Sequence, residues 1–356
     1  MTANIGQLRD HLDTLLEQQS LSTADARDLL VGLTDPELSP VLVGALLVAL
    51  RAKGITPEEL RGFALGMRSL ARRPHIEPGS ATVDIVGTGG DKSGSFNIST
   101  GASLLAAAAG LPVIKHGNRS VSSRAGSADV LEQLGLKMPL DESQAAACLA
   151  ATNFTFLFAP HYHPATKAIA PVRAAMGVRT VFNILGPLSN PAEPLFHVIG
   201  AYNEATARLM AHALAGLPIQ RAFVVHGAGG WDEPTPIGPF LLLDVTPGHV
   251  HESTREPADY DMPVCSEEAL RGGDAAHNAA ALTRVLRGEE RGAHRDALVM
   301  SAALALEVAG RAPTARAAAQ LASRAIDDGR ASAMLAKLAA FSRSATEAAA
   351  AQVAGS

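Results

Sequence analysis

Cysteine, aromatic residues and long apolar runs are all scarce in this sequence of 356 residues. The two cysteines, Cys148 and Cys265, are far apart and lack a metal or redox spacing, so we expect free thiols in a reducing compartment. No apolar run approaches the ~20 residues of a membrane span. The N-terminal residues lack a basic stretch followed by an apolar one. We therefore expect no signal peptide, no membrane partner and a cytoplasmic location.

The sequence also lacks an excess of positive charge. Its formal net charge is −5 and its pI is about 6.2, and no basic tract compensates for them. These values argue against general nucleic-acid binding but allow a local basic pocket for a phosphorylated small molecule. Aromatic residues make up 4% of a chain that is 47% hydrophobic, so alanine, leucine and valine must build most of the core. That composition favours helices packed closely on a sheet.

Residues 1–75 have a purely helical pattern. One helical face collects Leu8, Leu12, Leu15 and Leu16. Thr56-Pro57-Glu58-Glu59 is a capping box with proline at the first helical position, and it predicts a helix through about Leu70. The polar, proline-rich joint that follows indicates a domain boundary.

From residue 80 onward, strands alternate with helices. Buried strands are predicted from apolar runs at 83–86, 111–114, 154–159, 197–202, 222–226 and 240–245. A helix over 141–151 opens at Asp141, and another helical region starts at Thr314. The predicted fold is therefore α/β, with a small all-helical N-terminal domain (1–75) and a large α/β domain (80–356). Its central sheet is mainly parallel and covered on both faces.

The interval 164–192 does not fit a simple crossover between strands. Its four prolines predict a helix, a hinge and a loop. We expect part of this interval to join the helical domain.

The most informative stretch is 83–100. An apolar run stops at Val86, and Gly87, Gly89 and Gly90 follow it, with Asp91 behind them. Asn97, Ser99 and Thr100 then lead into an alanine-rich helix former. Glycines let backbone N–H groups approach an anion, and a helix N-terminus adds its positive end. The pattern predicts a phosphate site.

Two better-known phosphate loops are excluded by spacing. Asp91 stands where a Walker-type loop needs glycine before Lys92-Ser93. Lys92 stands where a dinucleotide fingerprint starting at Gly87 needs its third glycine. An ordinary βα turn explains the glycines alone, but explains the acid and the hydroxyl-rich helix start poorly.

A second glycine- and hydroxyl-rich cluster occupies 115–132. It too follows an apolar run and precedes a helix. Because successive strand ends of a parallel sheet meet at one edge, we expect it beside the first cluster. The two offer backbone amides, hydroxyls and the cations Lys115 and Arg119, enough for a molecule with more than one phosphate.

Asp232-Glu233 is a candidate magnesium site after a third strand. Mg²⁺ is typically held by one or two carboxylates, with substrate phosphate and water completing its shell. Alone, this Asp-Glu-Pro sequence would be read as a surface turn. No histidine or cysteine spacing indicates zinc.

Arg173 is a candidate for binding a substrate carboxylate, because a guanidinium can form a bidentate pair with it. The alternative is a solvent-exposed helix arginine, and Arg179 has the same ambiguity. His116, His163 and His226 lie near the predicted site. No Ser-His-Asp or Cys-His arrangement follows from the sequence.

These segments together resemble the anthranilate phosphoribosyltransferase family. The resemblance runs through nearly the whole chain and rests on 87–91, 96–100, 115–119, 126–132, 172–173, 179–191 and 232–233. It implies a nucleoside phosphorylase/phosphoribosyltransferase-like fold and a homodimer. It also implies transfer of a phosphoribosyl group from phosphoribosyl pyrophosphate to anthranilate in tryptophan biosynthesis.

The resemblance also implies roles for single residues. It assigns the phosphoribosyl donor to Gly87, Gly90, Asp91, Ser95, Asn97, Ile98, Ser99, Thr100, Lys115, Arg119, Ser122, Ser123 and Ser127. It assigns anthranilate to Gly87, Asn118 and Arg173, and two Mg²⁺ ions to Ser99, Asp232 and Glu233. No general acid or base is assigned, because an aromatic amine needs little activation.

The chain departs from the family pattern mainly on the acceptor side, at Ser95, Thr166, Ala168, Trp231 and His277. Three alternatives stay open from the sequence. They are a phosphoribosyltransferase of the same fold that uses another aromatic amine, a nucleoside phosphorylase, and a non-catalytic homologue that binds nucleic acid.

Overall fold

Helices alone build the N-terminal part of the computed structural model, which describes residues 4–77, 80–91, 93–120 and 124–354, the last ten as backbone only. These helices are α1 (Ile5–Leu16), α2 (Thr23–Leu33), α3 (Pro40–Lys53) and α4 (Pro57–Ser69). The predicted capping box at the start of α4 is confirmed. Glu59 N donates to Thr56 Oγ1 at 3.3 Å, and Thr56 N donates to Glu59 Oε2 at 2.9 Å.

The apolar face predicted for α1 is correct except at Leu16. Leu8 and Leu15 are buried, whereas Leu16 is 62% exposed. Successive residues of an α-helix are about 100° apart, so Leu16 turns away from the face that Leu15 occupies. His11 is buried beside Leu8 and Leu15 instead.

A single mixed sheet forms the centre of the described residues after 80. Its strands are β1 (Val83–Gly87), β2 (Val113–Gly117), β3 (Phe154–Phe158), β4 (Phe196–Gly200), β5 (Arg221–His226), β6 (Phe240–Thr246) and β7 (His249–Arg255). The spatial order is β3-β2-β1-β4-β5-β6-β7. The first five strands are parallel and the last two are antiparallel, which confirms the predicted, mainly parallel sheet.

Two strand predictions need correction. The strand expected at 111–114 begins at Val113 and continues through Lys115 and His116, whose polar side chains are buried on it. The antiparallel strand β7 was not predicted, because its His-Val-His-Glu-Ser-Thr-Arg sequence is polar and lies largely exposed at the edge of the sheet.

Helices cover both faces of the sheet, as predicted. Those after β1 are α5 (Ile98–Ala108), α6 (Ser127–Gln133), α7 (Glu142–Thr152), α8 (Ala159–Tyr162), α9 (Ala170–Met176), α10 (Phe182–Leu185), α11 (Glu204–Leu214), α12 (Ala275–Leu286), α13 (Ala293–Val308), α14 (Ala315–Asp327) and α15 (Arg330–Ala354). Along β5, Phe223 and Val225 join the apolar cluster of α5 and α12–α15, whereas Ala222 and Val224 join that of α1–α4 and α11. Period-2 alternation thus gives each face its own core.

The interval 164–192 packs with the N-terminal helices. Five of its buried apolar side chains belong to the same cluster as those of α1–α4, namely Ile169, Val181, Ile184, Leu185 and Leu188. Helix α9 lies against α3, with Val172 next to Gly44. This segment therefore carries Arg173 and Arg179 between the helices and the ends of the parallel strands.

No helix among the residues described is long and apolar enough to cross a bilayer.

Candidate functional site

The glycine turn after β1 lies directly against the carboxylate of Asp232. Gly89 N donates to Asp232 Oδ2 at 2.5 Å, and a Cβ on Gly87 would lie 2.3 Å from the same oxygen. Gly89 and Gly90 have φ values of 69° and 77°, in the left-handed region that glycine adopts without strain. The turn therefore needs glycine at 87 for space and at 89 and 90 for conformation.

Asp232 and Glu233 reach two different loops from beyond β5. Asp232 holds the glycine turn, while Glu233 Oε1 accepts a hydrogen bond from Ser99 N at 2.9 Å, at the start of α5. The backbone N–H of Asp232 in turn donates to Asp91 Oδ2 at 3.3 Å. Both adjacent carboxylates are buried. The acidic pair thus contacts both the first glycine cluster and the start of α5.

The second cluster lies beside the first, as predicted. Asn97 Nδ2 donates to the Ala125 carbonyl at 3.1 Å, and Thr100 Oγ1 donates to Ser127 Oγ at 3.1 Å. Asn97 itself has a left-handed backbone, with φ of 63°, immediately before α5. The predicted donor residues Ser122 and Ser123 lie outside the described residues.

The side chain of Lys115 reaches the site from within strand β2 and not from a solvated loop. It lies on β2, is 1% exposed, and donates through Nζ to the Ile85 carbonyl and, at 3.3 Å, to Ser99 Oγ. Its ammonium thus joins β1 to the start of α5. A buried cation at this depth offsets the negative charge of Asp232 and Glu233.

Burial controls the ionisation of these groups. It raises the pKa of Asp232 and of Glu233, and the neighbouring Asp91 carboxylate raises both further. Burial lowers the pKa of Lys115 to about 8, against the opposing pull of Asp84, Glu233 and Asp232. Two buried carboxylates with raised pKa values beside one cation mark a site that lacks positive charge.

Arg119 is engaged with other side chains. Its guanidinium donates to Glu132 through both terminal nitrogens, at 2.6 Å each, and to Asp129 Oδ1 at 2.9 Å. Asp129 also accepts from Gly126 N at 2.9 Å and so caps α6. Arg119 therefore braces the second loop against α6 in this structure, and its assignment to the phosphoribosyl donor stays a prediction.

Two of the residues predicted to bind the acceptor, Asn118 and Arg173, are more exposed than Lys115 and the acidic pair on the donor side. Asn118 is exposed, and its Oδ1 accepts a hydrogen bond from Arg119 N at 2.7 Å. Arg173 is half-buried on α9, with its guanidinium carbon 5.1 Å from the centre of the Phe182 ring. Burial lowers the pKa of Arg173. Helix α9, which carries it, packs against α3.

Two buried imidazoles, His116 and His163, contact each other. The rings of His116 and His163 meet edge to face, with centroids 5.0 Å apart. Burial lowers the pKa of His116 to about 3 and that of His163 to about 4, so both are neutral at neutral pH. His116 Nδ1 lies 3.2 Å from the Gly186 carbonyl.

Sequence reasoning missed Asp84 and Asn190. Asn190 Nδ2 donates at 2.9 Å to both Asp84 Oδ2 and the Ile114 carbonyl, and Asp84 Oδ1 accepts from His116 N at 3.3 Å. Burial raises the pKa of Asp84 to about 6, while Lys115 lowers it. The available signal was an acid inside the apolar run Val83-Asp84-Ile85-Val86, since a buried strand tolerates a carboxylate only with partners.

The positions that depart from the family pattern are scattered in space. Trp231 is buried in the core, and His277 is exposed in the first turn of α12. Thr166 Oγ1 donates to the His163 carbonyl at 2.7 Å.

Comparison with known proteins accounts for nearly the whole chain. The model of the α/β domain of a glycosyl transferase family matches residues 79–332, and the model of its helical bundle domain matches residues 9–71. An anthranilate phosphoribosyltransferase of Desulforudis audaxviator is 43% identical over 334 residues, which are 94% of this chain and 96% of that protein. The chain belongs to the anthranilate phosphoribosyltransferase family.

Other members of the family agree. The anthranilate phosphoribosyltransferase of Solibacter usitatus is 44% identical over 95% of this chain and 99% of its own length. The crystal structure of the Thermus thermophilus enzyme superimposes with a TM-score of 0.87 at 39% identity, covering 94% of this chain and 99% of that one. The Saccharomyces cerevisiae enzyme in complex with PRPP and Mg superimposes with a TM-score of 0.86 at 25% identity, covering 95% and 98%.

Proposed function

We propose that this protein transfers the phosphoribosyl group of phosphoribosyl pyrophosphate to the amine of anthranilate. The products are N-(5-phosphoribosyl)anthranilate and pyrophosphate, in tryptophan biosynthesis. The observation that carries the proposal is the convergence of Asp232 on the glycine turn and of Glu233 on the start of α5. The yeast relatives with PRPP and Mg and with 4-fluoroanthranilate support it.

The donor occupies the edge formed by the glycine turn, the start of α5 and the second loop. Its residues are Gly87, Gly90, Asp91, Ser95, Asn97, Ile98, Ser99, Thr100, Lys115, Arg119, Ser122, Ser123 and Ser127. Backbone N–H groups of the turn and of the helix start bind phosphate oxygens. Arg119 contributes by bracing the second loop against α6.

The residues present fit magnesium. Glu233 Oε2 is a buried oxygen without a hydrogen-bond partner among the described residues, and burial, together with the neighbouring Asp91 carboxylate, raises the pKa values of Asp232 and Glu233. A divalent cation satisfies such a set, with water and substrate phosphate as its other ligands. In the described part of the chain there is no group of three or more histidine, cysteine or acidic side chains that could hold a metal. Mg²⁺ bound to one or two carboxylates takes its other ligands from substrate phosphate and water. We assign two Mg²⁺ ions to Ser99, Asp232 and Glu233.

The chemistry is a displacement at C1 of the ribose. The bond from C1 to the pyrophosphate oxygen breaks, the bond from C1 to the anthranilate nitrogen forms, and the amine proton goes to solvent. Mg²⁺, when bound, neutralises charge that develops on the leaving pyrophosphate. The chain's own residues orient both substrates and place N–H donors and Lys115 on the donor side.

On the acceptor side, Arg173 pairs with the anthranilate carboxylate, and Gly87 and Asn118 line the same space. A guanidinium whose charge is partly desolvated gains more from a carboxylate partner than one in water does.

We also propose a cytoplasmic homodimer with a helical domain at 1–75 joined by part of 164–192, and an α/β domain at 80–356. The exposed face of α3 supports a dimer contact with a second copy of the chain, because Val41 is 81% and Val48 is 50% exposed on that face. Sedimentation would separate a monomer from a dimer.

Loss of anthranilate fluorescence tests the function. The signal should fall when protein, phosphoribosyl pyrophosphate and Mg²⁺ are combined, and should persist when any one is omitted. A constant signal, with calorimetry showing donor binding, would overturn anthranilate as the acceptor and leave the donor assignment intact.

A further inference from the structure

We propose that Arg179 is a positioning residue for the donor, acting through the backbone of the glycine turn. The inference rests on the proposed function and concerns the same site. Arg179 does not need to touch the substrate, because its effect passes through the Gly90 carbonyl.

The guanidinium of Arg179 holds the turn from outside the sheet. Its Nη2 donates to the Gly90 carbonyl at 2.7 Å, and its carbon lies 4.5 Å from the centre of the Tyr202 ring. Tyr202 N donates to Thr88 Oγ1 at 3.2 Å. Thr88 and Gly90 of the turn are thus tied to Tyr202 and Arg179, which contact each other.

Fixing one carbonyl fixes the next amide. In a trans peptide the C=O and the N–H point in opposite directions, so holding the Gly90 carbonyl toward Arg179 directs the Asp91 N–H away from Arg179. Asp91 Oδ2 accepts from Asp232 N at 3.3 Å, on the side of the acidic pair. The contact therefore sets the direction of an amide at the place where the donor binds.

The turn needs such support because glycine supplies little of its own. Gly89 and Gly90 both have positive φ, and a Cβ on Gly89 would have no atom within 4 Å. Glycine loses more conformational freedom on ordering than other residues. A hydrogen bond from Arg179 reduces the number of conformations that the free turn samples. Less conformational entropy is then lost when the donor binds.

Arg179 is itself held by the helical part of the protein. Arg51, near the end of α3, donates through Nη1 to the Arg179 carbonyl. A chain of direct contacts therefore runs from α3 through Arg179 to Gly90. Arg173 stands six positions earlier on α9, so one segment carries the proposed acceptor ligand and the support of the donor turn.

Steady-state kinetics with matched variants test this role. In Arg179→Ala the KM for phosphoribosyl pyrophosphate should rise roughly tenfold, the effect of one charge-assisted hydrogen bond, with the KM for anthranilate within about twofold. Arg179→Lys should recover part of the loss, and Arg51→Ala should give a smaller change in the same direction. Arg208→Ala is the control, since Arg208 is an exposed arginine paired with Glu204 and Glu252 away from the turn.

The outcomes separate the two proposals. A donor KM in Arg179→Ala within about twofold of wild type, or an equal rise for both substrates, would overturn the positioning role while the function stands. The role would also be overturned if Arg179→Ala lowered the melting temperature and reduced kcat along with the donor KM effect, because the change would then be structural. Wild-type protein without turnover of phosphoribosyl pyrophosphate would overturn both.

Discussion

The donor and acceptor sides of the site are built in opposite ways. On the donor side, Asp232, Glu233 and Lys115 are buried and hydrogen-bonded to Gly89 N, Ser99 N, Ser99 Oγ and the Ile85 carbonyl. On the acceptor side, Arg173 is half-buried and its described contact is the Phe182 ring. The first side is a hydrogen-bonded network of buried titratable groups, and the second is one half-buried cation on an aromatic ring.

The difference separates what the fold requires from what a substrate requires. Donor residues also hold β1, β2, α5 and the loop after β5 together, so changing one disturbs the others. The acceptor residues join fewer parts of the fold to one another. A change of acceptor could therefore evolve at Arg173 or around Thr166 with small cost to stability, whereas a change of donor could not.

Loss of one carboxylate of the acidic pair should have the largest effect. Asp232→Asn and Glu233→Gln keep the shape but remove the charge, so kcat/KM should fall by roughly 10³-fold at saturating Mg²⁺. The fluorescence assay measures it, with exposed Glu252→Gln on β7 as control. A loss below about tenfold in both variants would show that the pair is not central to transfer.

Gly87→Ala should have the second largest effect, because the added methyl group clashes with the donor side without changing any charge. The added Cβ would lie 2.3 Å from Asp232 Oδ2 and must displace that carboxylate, so kcat/KM should fall roughly 10²-fold. Gly186→Ala is the matched control, since residue 186 has a helical φ of −49° and no atom within 4 Å of the added carbon. Equal activities of the two variants would contradict the close packing at Gly87.

Arg173→Ala should affect the acceptor alone. Removing a charge-assisted pair with a carboxylate should raise the KM for anthranilate roughly 30-fold, with the KM for phosphoribosyl pyrophosphate within about twofold. Initial rates against each substrate measure both constants. Equal rises would mean that Arg173 does not bind the carboxylate.

The neutral imidazoles predict a small effect of pH on stability. Burial holds the pKa of folded His163 at about 4, so between pH 6.5 and 4 the unfolded chain binds the proton that the folded chain refuses. Stability therefore falls as the pH drops through this window. From pH 7 to 5, His163 should account for about 2 kcal/mol of the lost free energy of unfolding.

Urea denaturation of wild type and His163→Phe at both pH values measures this. The advantage of the wild type over the variant should shrink by about that amount at the lower pH, because the variant lacks the imidazole that resists protonation in the folded state. A difference independent of pH would mean that His163 is not held neutral by burial.

The parallel strands could be predicted because each contains a short run of apolar residues close to turn signals. Asp232 and Glu233 could be placed because parallel strand ends share an edge. Pairings between distant side chains could not: nothing in the spacing of Arg119, Asp129 and Glu132 shows that the arginine serves the acids of the next helix. The burial of Lys115 also escaped sequence reasoning, since it depends on where strand β2 ends.

Trp231 gives the protein a built-in optical reporter. It is the single tryptophan of the chain, it is 4% exposed, and it immediately precedes the acidic pair. Its carbonyl accepts a hydrogen bond from Gly227 N at 2.8 Å, within the loop that delivers Asp232. Indole emission from the folded protein therefore originates beside the proposed cation site, so titrating Mg²⁺ against its intensity would follow that loop without any attached label.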